Sequence, residues 1–518
     1  MSSARTTKHK KGVAVPARPE DERLPIGKSF GYGMQHVLTM YGGIIAPPII
    51  VGNAAGASSD QIALLIACCL FIGGLATLLQ TVGVPFFGSQ LPLVQGTSFA
   101  SVATLVSIVS GGEGLPAAFG AVLIASVIGL IIAPFFAKIV RFFPPVVNGV
   151  VITSIGLSLL PVAGNWIMGN NADSPEYGSM ANVGLAGLTL LIVLVLSKVG
   201  SAAISRLSIL LGIVLGTILA ALIGMADFSG VGEGSVVAFP EPFAFGMPTL
   251  HIAGTISMII VVLVIMTETT ADILAVGEIS KTKVNSRRVA DGLRADMLAS
   301  VVAPVFNGFT QSAFAQNVGL VAITGVRSRF VVAAGGVIML VLGLFPIIGR
   351  VVGSIPYPVL GGAGIVLFGT VAVSGIRTLA KVKYENNLNM VIVAVSLGFG
   401  LLPIVTPTIW DSFPEWFATI FHSGISSAAI MAILLNIVFN IFKVGNTEAS
   451  SVFSAGPPRM VSTTELTALQ EGDYIENGKL LDKDGNEIPV ATPEKVQEAL
   501  HTGQIKRIPL RGEEGGGH

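Results

Sequence analysis

Charge and sulfur are what this chain has least of. Only 12% of its 518 residues are charged, the 30 basic and 30 acidic side chains cancel, and two residues are cysteine. Zero net charge leaves no basic surplus, so nothing indicates a nucleic-acid partner. Cys68 and Cys69 are adjacent, too close for an ordinary disulfide, and sit in an apolar run as packing residues. Among the six histidines and two cysteines there is no metal-ligand spacing, and the chain has neither a phosphate-binding glycine loop nor a nucleophile with a partner base. No resident metal, organic cofactor, ATP-driven work or enzymatic turnover is therefore expected. The opening stretch MSSARTTKHKKGVAVPARPEDERLP has no apolar segment and no cleavage pattern, so the first apolar span itself is expected to direct insertion.

What the chain has instead is apolar surface. With 52% hydrophobic residues and a mean hydropathy of +0.78, it reads as an all-α polytopic membrane protein. At ~20 apolar residues per crossing, about fourteen spans are expected. They begin near residues 30, 60, 88, 116, 143, 180, 206, 250, 290, 314, 330, 357, 387 and 423. The third and tenth are short and interrupted by glycine, proline and polar residues, and read as broken spans. Basic residues fall in alternate connections: Lys8, Lys10 and Lys11; Lys138 and Arg141; Lys198 and Arg206; Lys281, Lys283, Arg287 and Arg288; Arg327 and Arg329; then Arg377, Lys381 and Lys383. The positive-inside rule then puts both termini in the cytoplasm, which requires an even number of spans.

An internal repeat agrees. PVVNGVVITSIG, from Pro145, and PVLGGAGIVLFG, from Pro358, align Gly149 with Gly362 and Gly156 with Gly369. A basic loop precedes the first copy and follows the second, so the copies run oppositely through the membrane. The expected layout is an inverted repeat of seven plus seven spans, residues 28–230 and 247–443, between an N-terminal tail (1–27) and a polar C-terminal tail (446–518). That tail reads as loosely folded, with a turn at DKDGNEIPV and a short helix candidate at TPEKVQEALHTG. An inverted repeat places a binding site near the midplane, between discontinuous helices, and serves alternating access.

Elimination locates that site. Once the tails, loops and loop edges have claimed their acidic residues, Glu268, Asp272 and Asp296 remain at membrane depth, where a carboxylate costs ~2.5 to 3.5 kcal/mol even on the lenient insertion scale. Spacing of four puts Glu268 and Asp272 on one helix face. Asp296 reads either as a third member of the site or as a helix-end contact to Arg294 or the basic loop. A second polar cluster holds Gln316 and Asn317 beside Gly319, with Thr324 further along. Such amides either tie helices together or face a ligand where Gly319 lets the backbone unwind. The matching segment QGTSFASVAT offers Gln95, Thr97, Ser98 and Phe99. A carboxylate, a primary amide, spare backbone groups and a ring together suit a flat heterocycle with alternating donors and acceptors. His36, ahead of an apolar span, is read either as a satisfied structural residue or as one that handles protons or shapes the site.

On these residues the chain resembles the nucleobase-ascorbate transporters, the xanthine and uracil permeases. The resemblance spans residues 28–443 and rests on Gln316-Asn317-Val318-Gly319 with Thr324-Gly325, Gln35-His36, GTSF in span three, Glu268 with Asp272, and GLRADMLAS around Asp296. It implies a core domain of spans one to four and eight to eleven, a gate domain of spans five to seven and twelve to fourteen, and a homodimer in the plasma membrane. It implies that Glu268 and Gln316 grip the base, that Phe99 stacks on it, and that Ala315 offers backbone contacts, with Ser98 beside them. Asp272, Asp296, Asn317, His36 and Thr324 then form the supporting polar set, the carboxylates being linked to proton coupling. Gln316 is common in xanthine and urate carriers where uracil carriers have Glu. An oxidised purine imported with a proton, rather than sodium, is therefore the expected cargo. A uracil permease is the nearest rival, and an anion exchanger of the same architecture a more distant one, because a central Glu268 serves an anion poorly.

Overall fold

The computed structural model describes residues 18–136, 143–233, 235–384 and 388–441, with short pieces between 461 and 491. Lys8, Lys10, Lys11, Lys138, Arg141, Glu385 and the helix candidate at 492–503 lie outside the described residues. The chain divides into two units, residues 1–382 with 389–444, and residues 383–388 with 445–518. In the smaller unit Val461–Ser462 pairs in parallel with Val490–Ala491, and Tyr474–Glu476 pairs antiparallel with Lys479–Leu481. Most of the turn expected at DKDGNEIPV lies outside the described residues; within it the Asn486 N–H donates to Asp482 Oδ1 at 3.0 Å.

The larger unit is helical. Its first half runs α1 (Ile26–Ala54), α2 (Ser59–Val82), β1 (Gln95–Thr97), α3 (Val102–Ile108), α4 (Gly114–Ile132), α5 (Pro145–Met168), α6 (Met180–Val199), α7 (Ala202–Arg206) and α8 (Ser208–Leu222). The second half runs α9 (Ile252–Ser280), α10 (Ser286–Val302), β2 (Gln311–Ala313), α11 (Ala315–Thr324), α12 (Arg329–Gly343), α13 (Pro346–Gly353), α14 (Tyr357–Leu379), α15 (Leu388–Val405), α16 (Glu415–His422) and α17 (Gly424–Asn436). Local signals set the ends. α2 opens on a reciprocal Ser58/Gln61 capping box, and α3 gives way to α4 where Gly112 and Gly114 take positive φ. α12 and α13 are one apolar stretch bent by 79° ahead of Pro346.

Eight helical stretches among the described residues are long and apolar enough to cross a membrane, or ten if each bent pair counts as one. The sequence count of about fourteen is larger for two reasons. Phe99–Phe135 carries two crossings joined at the glycine turn, and α8, α10 and α11 are too short for a test of length and composition. The packing follows the inverted repeat. α2 lies against α12, and its counterpart α10 lies against α4; α1 lies against α12, and its counterpart α9 lies against α4. At the centre α5 and α14, the two helices that begin with the repeated Pro-Val motif, pack along their lengths.

That central contact is made by small residues, as expected where lipid supplies no hydrophobic drive between helices. A Cβ at Gly156 would run into the backbone of Ala372, whereas its repeat partner Gly369 has open space. The repeat conserves both glycines, but only one is sterically required. Gly156→Val is expected to lower the amount of folded protein several-fold, an overpacking cost of about 1–3 kcal/mol or more, while Gly369→Val leaves it unchanged. Thermal stability of the two detergent-extracted variants, followed by size-exclusion chromatography, checks this; equal losses would contradict the contact.

Candidate functional site

Spans three and ten break because their middle residues are extended. β1 and β2 pair antiparallel with Gln95 opposite Ala313, Gly96 opposite Ser312 and Thr97 opposite Gln311. The ladder continues at both ends, Ser98 N–H donating to Thr310 O at 2.9 Å and Phe314 N–H to Val94 O at 3.0 Å. Gly96 is needed here, since a Cβ would lie 2.5 Å from the Phe314 ring. Each strand then feeds a short helix. Ser98 caps the 3-10 turn that leads into α3, its Oγ accepting from Ala100 N–H at 3.3 Å. At the start of α11 the cap position is Phe314, which has no side-chain acceptor to offer the first amides.

A cavity of about 380 Å³ opens beside the ladder. Ser98, Phe99, Glu268, Asp272, Ala315 and Gln316 all line it. Glu268 and Asp272 are half-buried on one face of α9, while Ala315 and Gln316, at the first turn of α11, are exposed to it. Phe99 is 8% exposed and meets Phe368 edge-on at 6.1 Å between centroids. The wall opposite comes from α5 (Ile152 and Ile155) and α14 (Thr370, Ser374, Arg377 and Thr378).

The other four sequence candidates lie off the cavity wall. Asn317 points toward α1, where its Oδ1 meets His36 Nδ1 at 2.8 Å and its Nδ2 donates to Met40 Sδ at 2.9 Å. Asp296 is 1% exposed and is held by Thr269 Oγ1 at 2.7 Å and Gln80 Nε2 at 3.1 Å. Of the two readings left open for Asp296, a helix-end contact with Arg294 is not what forms: Arg294 pairs with Asp291 instead. Thr324 ends α11, its hydroxyl donating to Leu320 O at 2.8 Å.

Sequence reasoning missed three residues. Gln80 closes the α2 end onto Asp296, but a lone amide at the end of an apolar helix carries no signal. Arg377 was grouped with the loop after span twelve, yet α14 continues to Leu379, with no proline or glycine after Gly375 to stop it, and a cation in the last turn suits the helix dipole. Thr269 also belongs with this set, since its hydroxyl oxygen accepts the Ala313 N–H at 3.4 Å while it donates to Asp296.

A model of the Xan_ur_permease family, described as a permease family, matches residues 27–409. The xanthine permease of Bacillus subtilis (strain 168) is 39% identical over 421 residues, covering 81% of this chain and 95% of that one. The uric acid transporter UacT of Escherichia coli (strain K12) is 38% identical over 432 residues, covering 83% of this chain and 89% of that one. Among solved structures, the transmembrane domain of the cyanobacterium bicarbonate transporter BicA matches with a TM-score of 0.52 at 18% identity, over 80% of this chain and 97% of that one. That likeness is one of fold alone. With the family match running from the first span past α15, and with such identity over four fifths of its length, the chain belongs to the nucleobase-ascorbate transporter family of permeases.

Proposed function

We propose that this permease imports an oxidised purine, xanthine or urate, with a proton, by alternating access. One observation carries the reading: the Glu268 carboxylate and the Gln316 amide face a single cavity at a broken helix, with the Phe99 ring beside them. Ionised Glu268 accepts two N–H bonds from the purine-dione edge, Gln316 pairs with the adjoining edge, and the first amides of α11 remain for a carbonyl oxygen. Urate is mainly an anion near neutral pH, and an anion beside an ionised carboxylate is unfavourable unless a proton enters nearby. Asp272, one turn further along the same face, is the group placed to share that proton.

The supporting division of labour is a core of α1 to α4 with α9 to α13, and a gate of α5 to α8 with α14 to α17. The cavity has one wall from each, the arrangement in which a rocking motion exposes a fixed site to either side. Both termini cytoplasmic, a plasma-membrane location and a homodimer complete the proposal. Relatives named as xanthine permease and uric acid transporter support the substrate class.

Uptake of radiolabelled xanthine, urate and uracil in cells lacking their own carriers, with and without a protonophore, tests the reading directly. Purine accumulation that collapses with the protonophore is the expected outcome; preference for uracil would favour the rival permease. Glu268→Gln is expected to reach the membrane in normal amounts and to lose uptake by roughly 10- to 100-fold, the scale of a lost charge-assisted hydrogen bond. Normal uptake by that variant contradicts the assignment. Gln316→Glu, which removes the amide donors, is expected to shift competition from xanthine toward uracil, and an unaltered inhibition profile would remove Gln316 from selectivity.

A further inference from the structure

The first described residues are anchored rather than free. Pro19–Asp21 form a single 3-10 turn in which Glu20 is fully buried. A buried carboxylate needs a partner, and Glu20 Oε1 accepts from Arg288 Nη2 at 2.6 Å and from Thr282 Oγ1 at 3.1 Å. Arg288 places further bonds on the loop after α2, Nε to Ser89 O at 2.6 Å and Nη2 to Gln90 O at 2.9 Å. Asp21 pairs with Arg329 at 2.6 Å, and Arg329 Nη1 donates to Thr81 O and Val82 O, each at 2.8 Å. One acidic turn thus joins the end of α2 to the starts of α10 and α12, elements remote in sequence.

The loop held in this way is strained, with φ of 72° at Phe86 and 54° at Gln90. It leads into β1. Gln80 ties it inward: its Oε1 accepts from Ser89 N–H at 2.9 Å and its Nε2 donates to Asp296. Asp296 is bonded to Thr269, and Thr269 to the Ala313 N–H on the cavity wall. A continuous line of hydrogen bonds therefore runs from the N-terminal segment to the ladder beside the cavity.

We propose that Glu20 and Asp21 are positioning residues for transport, an acidic clasp that acts through Arg288, Arg329 and Gln80 to hold the β1–β2 ladder at the height the substrate requires. Its geometry stands by itself; its effect on transport rests on the purine-permease reading. Removing the Glu20 charge leaves Arg288 with neutral acceptors alone, at Ser89, Gln90 and Thr282, so its hold on the strained loop weakens and the ladder loses support.

The test uses the full chain. In Glu20→Gln, backbone hydrogen exchange in residues 84–98 and 311–313 is expected to speed up. The KM for xanthine uptake is expected to rise about 3- to 10-fold at unchanged membrane abundance, and the same substitution in an Arg288→Gln background to add nothing. Unchanged exchange in both segments overturns the clasp, whether or not the wild type carries xanthine. Faster exchange with an unchanged KM overturns the positioning role and leaves Glu20 a folding residue. A wild type that takes up no purine sinks the functional reading, and the exchange data then judge the clasp alone. If Glu20→Gln does not reach the membrane, Asp21→Asn, at a partly exposed position, is judged by the same two measurements.

Discussion

Backbone amides left unpaired at membrane depth are too costly to keep, and a chain that abandons helix there must pair its backbone with itself. The short ladder between Gln95–Thr97 and Gln311–Ala313 is that pairing. It comes from spans far apart in sequence, so neither half of the protein can complete it alone. Once formed, it turns two helix starts toward one spot and leaves the opening amides of α11 without a side-chain cap. The place of the candidate site follows from a constraint on the backbone before any side chain is chosen.

Side chains then divide between lining the cavity and holding the frame. Gln316 and Asn317 are neighbours, but ~100° of helical rotation separates them, so one looks into the cavity and the other toward His36 and Met40. Glu268 and Asp272, four residues apart, share a face. Asp296, on the next helix, faces protein and is satisfied by Thr269 and Gln80. Asn317 and Asp296 thus each link two elements, as a buried amide and a buried carboxylate must if they are not to destabilise the fold.

Much of this was legible in the chain. Charge is scarce enough that two carboxylates inside an apolar run identify themselves, and the interruptions at QGTSF and AQNVG mark the broken spans. Alternation of basic loops and the repeated Pro-Val segment gave the inverted repeat that the packing displays. What escaped were contacts made by residues with ordinary neighbours. Gln80 looks like any amide at a helix end until Asp296 is placed against it. Arg377 looks like a loop cation until α14 is seen to run on. Thr324 lies eight residues beyond Gln316, about 12 Å along a helix, so adjacency in a motif did not make it adjacent in the cavity. Glu20 was counted with the polar tail, because burial of a charge by a distant arginine leaves no local pattern.

The repeat of the backbone is not carried into the side chains of its two central helices. α1 and α9 are equally long and equivalent in the two halves. Where α9 carries Glu268 and Asp272, the corresponding positions of α1, counted from its first residue, are Gly42 and Ala46. It is the neighbouring Gly43 that faces the rings at the ladder, where a Cβ would lie 2.8 Å from Phe314 and 3.6 Å from Phe99; at Gly42 a Cβ would meet only Ile209, at 3.7 Å. Gly42 and Ala46 border a separate apolar crevice with Trp166, Ile209 and Leu360, where a carboxylate would have no polar partner and would be penalised heavily. Symmetry thus belongs to the backbone, and asymmetry to the side chains it carries. A permease of this fold that takes a polar solute needs that asymmetry, since a centre apolar on both helices would offer no hydrogen-bonding group.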